Sequence, residues 1–219
     1  MRKFSKLFAL ISALVITVTL GTGTVMAAEI ADLYPGIEKI TTKEILEQNK
    51  DSYYVYFYQP NCPFCNEVKD AVNKFASDGG EIYAVDYSIP SNRANRYDWT
   101  EVAQKYNKKI GWIDSDGHKN YLPGESEEKY LNNTEVNIYG KVIRYQITEI
   151  NEYNVNQFEG AEIGDIYTDV QTPEIDYASV KDTSDLIIAG VPTMFHISDG
   201  RIDGFYFDSV EISELLKNI

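Results

Sequence analysis

Both cysteines of the chain fall within four residues, Cys62-Pro63-Phe64-Cys65. No other feature restricts the surrounding fold as strongly. A disulfide closed over so short a loop removes almost no freedom from the unfolded chain, so a structural staple is a poor use of the pair. Zinc would need two further ligands, and the two histidines, His118 and His196, stand at no motif spacing from each other. Thiol–disulfide chemistry remains, and it needs one accessible thiol and one sheltered thiol. The flanks supply both. Tyr53-Tyr54-Val55-Tyr56-Phe57-Tyr58 is aromatic or β-branched throughout and reads as a buried strand. Gln59-Pro60-Asn61 is a turn, and Pro63 suits the first position of a helix. Val68, Ala71, Val72 and Phe75 then line one helical face, and Asp78-Gly79-Gly80 ends it. This places Cys62 at a helix N-terminus, whose positive end favours a thiolate, and Cys65 one turn inside. Cys62 is the expected attacking thiol and Cys65 the resolving one.

The strand, the Cys-Pro-Phe-Cys run and the helix together resemble the active-site segment of the thioredoxin superfamily. A second stretch, Gly190-Val191-Pro192-Thr193-Met194-Phe195-His196-Ile197, is similar to the G-[IV]-P-T segment that precedes a strand in that family. The resemblance implies an α/β thioredoxin fold and a cis Val191–Pro192 bond packed beside the cysteines. It also implies pairing between a substrate chain and the backbone of the residue before that proline. Cys62 and Cys65 would be the catalytic residues, with Val191, Pro192, Pro63 and Phe64 contacting substrate. No organic cofactor and no metal is implied. Three departures stand out. Tyr56 occupies the place where thioredoxins carry a buried acid, and Asp70 replaces the proline of the active-site helix. The Pro-Phe dipeptide is closer to the Pro-Tyr of glutaredoxins than to Gly-Pro. It also lacks the histidine of the strongly oxidising disulfide-forming enzymes, so a less oxidising pair is expected.

The remaining frame is legible in outline. Residues 37–40 read as a first strand. Thr41-Thr42-Lys43-Glu44 is a capping box opening a helix to Asn49. Residues 81–86 read as a strand and 99–106 as a helix. Residues 193–197 and 202–207 form a hairpin about Ser198-Asp199-Gly200-Arg201, and residues 209–218 form a closing helix. A thioredoxin-like domain is therefore expected over 28–106 and 186–219. Residues 107–185 are an insertion before the cis-proline strand, expected to be β-rich from two alternating segments around Gly140 (135–147) and from 153–156 and 165–170. Residues 145–180 carry Glu149, Glu152, Glu159, Glu162, Asp165, Asp169, Glu174 and Asp176, with no Lys or Arg. Such a stretch is either a solvated face or a docking surface for a cationic partner. Asp114-Ser115-Asp116-Gly117 lacks the later acids of a calcium loop and reads as a turn. His196 lies on a strand as a satisfied core or surface histidine.

Charge and the N-terminus bound the setting. With 20 Lys+Arg against 34 Asp+Glu, the net charge is −14. This excludes a phosphate-backbone nucleic-acid binder and disfavours anionic lipid surfaces. Arg2, Lys3 and Lys6 precede an apolar run from Leu7 to Leu20, and Val25-Met26-Ala27 offers small residues for cleavage. Residues 1–27 read as a secretory signal peptide. An uncleaved anchor is the weaker reading, because the apolar run is short and ends in Gly and Thr. No stable membrane span is expected after cleavage. The protein is expected outside the cytoplasm, where disulfides persist, in the style of a Gram-positive bacterium. Two functions follow. One is an exported thiol–disulfide oxidoreductase acting on protein or peptide thiols and disulfides. The other rests on a resemblance to bacteriocin transport accessory proteins, where the fold would be a binding module for a small cationic peptide.

Overall fold

The computed structural model describes residues 32–219; the signal peptide read over residues 1–27 lies outside them. The architecture is mixed α/β. Its main sheet contains β1 (Glu38–Lys39), β2 (Ser52–Tyr58) and β3 (Ile82–Asp86), with helix α1 (Pro63–Ser77) between the last two. Two later strands, β10 (Thr193–Ser198) and β11 (Arg201–Phe207), complete the order β1-β3-β2-β10-β11. β1, β3 and β2 run parallel, while β10 lies antiparallel to both β2 and β11. The β10–β11 turn uses Asp199 and Gly200 at φ 50° and 70°, the left-handed pair that a two-residue hairpin requires.

Strand β2 lacks polar alternation because both of its faces are covered, as strands buried between two layers require. On one side α1 and α4 (Asp208–Asn218) bring Cys65, Val68, Val72 and Ile212 against Tyr56, Ala84 and Met194. On the other side Val55, Phe57, Val85, Phe195 and Ile197 pack against Ile45, Tyr177, Val180, Leu186 and Ile188. That second cover is irregular chain and short turns rather than a helix.

A second sheet follows α2 (Thr100–Tyr106). It comprises β5 (Lys109–Ile113), β6 (Lys119–Tyr121), β7 (Tyr145–Glu149) and β8 (Asp165–Val170), with α3 (Glu127–Leu131) packed on β7. The order is β6-β5-β8-β7, antiparallel throughout. Val102 of α2 packs with Ile143 and Val170, so this helix sits against the second sheet. A short parallel pair, β4 (Asn95–Arg96) and β9 (Ile187–Ile188), carries the chain back to the main sheet. Among the described residues no helix is long and apolar enough to cross a membrane.

Three local expectations are revised. The capping box forms, with the Thr41 N–H donating to the Glu44 carboxylate at 2.7 Å, but only a 3-10 turn, Thr42–Glu44, follows it. Gln48 Nε2 donates to the Glu44 carbonyl at 2.8 Å and the Tyr53 hydroxyl to the Ile45 carbonyl at 2.7 Å. Side chains thus take the carbonyls that a longer helix would have bonded. Residues 153–156 are a turn leading into a 3-10 segment, Val155–Gln157, because Asn151 and Asn154 accept local backbone N–H groups at 2.9 and 2.7 Å. Of the two segments around Gly140, only a Val136–Val142 bridge and β7 form. Asn137 Oδ1 accepts the N–H groups of both Tyr139 and Lys141 at 3.0 Å and curls the tip.

Candidate active site

Cys62 is the N-cap of α1. Its backbone is extended (φ −83°, ψ 117°), and its Sγ accepts the Cys65 N–H at 3.1 Å. The sulfur takes the role that a Ser or Asp oxygen plays at other helix starts, which aims a free backbone donor and the positive helix end at it. Pro63 follows at the first helical position, where its missing N–H leaves nothing unpaired. Cys62 is half-buried and Cys65 only 2% exposed. The two thiols are free, one at the rim and one beneath it.

The proline loop completes the rim. The Val191–Pro192 bond is cis, and the Cys62 thiol donates to the Val191 carbonyl at 3.5 Å. Residues separated by more than half the chain therefore meet at one sulfur. Phe64, 57% exposed, projects from the same helix start, and Pro63 is exposed beside it. The structure thus brings the two cysteines and the Val191-Pro192 segment together at the start of α1.

Behind Cys65 lies a phenol cluster. The Cys65 carbonyl accepts the hydroxyls of Tyr34 at 3.4 Å and Tyr56 at 3.5 Å, and the two oxygens are 3.2 Å apart. Tyr58 packs edge-on to Tyr34. Burial pushes the Cys65 thiol up to about 12 and the Cys62 thiol adds to the rise, while the Gln59 backbone and, less strongly, the Tyr56 hydroxyl oppose it. Burial also raises both Tyr34 and Tyr56 far above the usual phenol range. They are hydrogen-bond donors here, not bases. Glu67, the nearest acid in sequence, has its carboxylate taken by the Ser209 hydroxyl at 2.6 Å.

Several contributors to the site lie beyond local sequence reading. The Asp208 N–H donates to the Pro192 carbonyl at 3.0 Å, with Asp208 held at φ 60°. Arg144, from the second sheet's side of the chain, forms an ion pair with Asp208 and donates to the Phe207 carbonyl at 3.3 Å. Lys141 pairs with Glu211 at 3.0 Å. Trp99 Nε1 donates to the Ala189 carbonyl at 3.4 Å, two residues before Val191. Apart from Asp208 and Pro192, these partners are more than 60 residues apart, so no local pattern marks them.

Other flagged groups stand apart from this opening. The Asp114, Asp116 and His118 donor atoms lie within 4.8 Å of one another, but Asp114 already accepts the N–H groups of Asp116 and His118 at 3.0 and 2.9 Å and the Asn120 amide at 3.1 Å. These bonds build a turn. His196 is bonded at both nitrogens, to Ser52 at 2.8 Å and Asp203 at 2.5 Å. In comparisons with known proteins, no family model matches the chain and no curated protein is significantly similar to it.

Proposed function

We propose that this chain is an exported thiol–disulfide oxidoreductase of the thioredoxin fold, exchanging disulfides with protein or peptide substrates through Cys62 and Cys65. The observation that carries this reading is the cap: the Cys62 sulfur sits at the start of α1, bonded by the Cys65 N–H and next to the Val191 carbonyl. A thiolate formed there keeps the backbone donor and the helix end that stabilise it. Supporting it further, the order of strand, helix and strand followed by a hairpin and helix matches the frame implied by the two sequence motifs.

In the reducing direction, Cys62 thiolate attacks one sulfur of a substrate disulfide. A mixed disulfide forms and the first substrate thiolate leaves, taking up a proton. Cys65 then gives up its proton and attacks the Cys62 sulfur. The Cys62–Cys65 disulfide forms, the bond to substrate breaks, and the second substrate thiolate departs. Two electrons pass from the cysteine pair to the substrate, and the reverse sequence oxidises a substrate dithiol. Burial of Cys65 keeps it a thiol until the mixed disulfide is in place, which prevents both sulfurs from competing for the same substrate.

The test is reduction of a peptide disulfide followed by mass spectrometry. Cys62→Ser should abolish turnover, by about 10³-fold or more if the thiolate is the sole nucleophile. Cys65→Ser should accumulate a covalent adduct at Cys62. Full activity in either variant would sink the reading. A redox titration of the wild type should give a potential well below about −120 mV.

A further inference from the structure

Three clefts meet at Tyr139, at the tip of the turn closed by Asn137. One, of about 400 Å³, runs between Tyr139 and β11 along Asp203 and Tyr206, over Ile175 and Tyr177. A second, about 450 Å³, passes between Tyr97, Asp176, Asp185 and Ile187. The third, about 170 Å³, reaches Asp98 and Glu101. Together they form a trough with aromatic and aliphatic walls and an acidic rim. Tyr139 is 44% exposed, and among the described residues the one cation lining the clefts, Lys141, is already paired with Glu211. Among the described residues, Asp98, Glu101, Asp176 and Asp185 have no Lys, Arg or His at ion-pair distance; Glu174 is held by Lys105 and Asp203 by His196.

This combination is selective. An apolar ligand would leave four uncompensated carboxylates against its surface, and an anion would be repelled. A lysine or arginine side chain can lay its aliphatic stem on the Tyr139 and Ile175 surfaces with its charge at the rim. Tyr97 and Tyr139 also offer faces to a cation. We propose that the trough is a docking site for an extended peptide segment in which basic residues alternate with apolar ones. The proposal deepens the exchange reading by naming a substrate class, and it depends on that reading only for the word substrate; the docking itself needs no redox step. Position supports the link. The trough wall at Tyr97 packs on Trp99 with ring centroids 5.1 Å apart, and Trp99 holds the Ala189 carbonyl in the loop leading to Val191. Ile187, in the second cleft, lies four residues before Val191 on the same segment.

The experiment uses the full chain carrying Cys62→Ser and Cys65→Ser, which separates docking from exchange. A fluorescein-labelled heptapeptide alternating Lys and Val is titrated by fluorescence anisotropy beside a Glu–Val counterpart. The Lys peptide should bind, weaken as salt rises, and exceed the Glu peptide by about tenfold or more. Adding Glu101→Gln, Asp176→Asn and Asp185→Asn should weaken it about tenfold. A charge-matched control, Glu152→Gln, Glu159→Gln and Glu162→Gln, none of which lines the three clefts, should change it by less than about twofold. Equal weakening by the two triple variants would reduce the effect to net charge and overturn the proposal, as would equal binding of the Lys and Glu peptides. Retained docking beside wild-type protein inert toward disulfides would instead remove the exchange reading and leave the trough.

Discussion

The two sheets of this molecule are held together differently. In the main sheet Val55, Phe57, Phe195 and Ile197 are fully buried and the face opposite α1 is almost entirely apolar. In the second sheet β7 is only half-buried or exposed along its length, and charged groups tie its periphery. Glu125 accepts the Tyr130 hydroxyl and pairs with Lys108 and Lys129. Glu127 joins Tyr121 to Lys119, which also pairs with Glu149, and Lys109 pairs with Asp165. The other face of the main sheet, Tyr56, Ala84 and Met194 beneath α1, is equally apolar and keeps the Cys65 thiol dry. The second sheet buries its central strand β8 but leaves the outer strands β6 and β7 half-buried or exposed, with ion pairs along them. Apolar burial on both faces holds the first sheet, and ion pairs at the rim hold much of the second.

The sharpest way to break that contrast is a core truncation in each sheet. Phe195→Ala removes a ring packed on Phe57, Tyr177 and Phe205, and should cost about 3–5 kcal/mol. Ile147→Ala, at a half-buried β7 position, should cost about 1 kcal/mol. Urea denaturation measures both, and equal losses would erase the distinction.

Acid provides the next test. The Tyr130 hydroxyl, with Lys129 and Lys108, draws Glu125 down to about 2 from an ordinary 4.5. A depressed carboxylate contributes stability that is present above its unfolded pKa and is lost as pH falls through the folded one. Hydrogen-exchange protection over α3 and β7, corrected for the intrinsic exchange rate at each pH, should therefore fall between about pH 4.5 and 2, while β2 and β10 stay protected. Glu125→Gln should weaken the second sheet at neutral pH and flatten that profile. Simultaneous opening of both sheets would show that they form one cooperative unit.

The smallest expected effect lies beside the cysteines. Tyr56→Phe keeps the ring and removes the weaker of the two groups that oppose the rise in Cys65, leaving the Gln59 backbone in place. Resolution of a mixed disulfide should slow a few-fold, at about 1 kcal/mol or less for one neutral hydrogen bond, and its pH profile should move upward. The alkylation rate of Cys62 should not change. A slowed Cys62 with an unmoved pH profile would assign Tyr56 a packing role only.

What was legible in the sequence was whatever depends on neighbours in the chain. The Tyr-rich strand, the Pro63 helix start, its Gly stop and the Asp199-Gly200 turn are all set by periodicity and backbone preference over a few residues, and each appears where those preferences put it. The short strands of the second sheet were harder to read. Lys109–Ile113 is broken by Gly111, where a Cβ would collide with the Asn120 carbonyl oxygen, so close pairing rather than side-chain pattern defines it. The Asn-rich turns took residues that alternation had assigned to strands.

The amino-acid order alone determined which two sulfurs can meet and which end of a helix they occupy, since a four-residue spacing and a proline leave little freedom. Only the folded chain decided what surrounds them. The Val191 carbonyl at Cys62, the paired phenols under Cys65, the Arg144–Asp208 contact and the trough at Tyr139 join segments far apart in the chain. Their formation depends on the packing of the sheets, and such contacts leave no trace in local periodicity because each partner, taken alone, is an ordinary residue in an ordinary place.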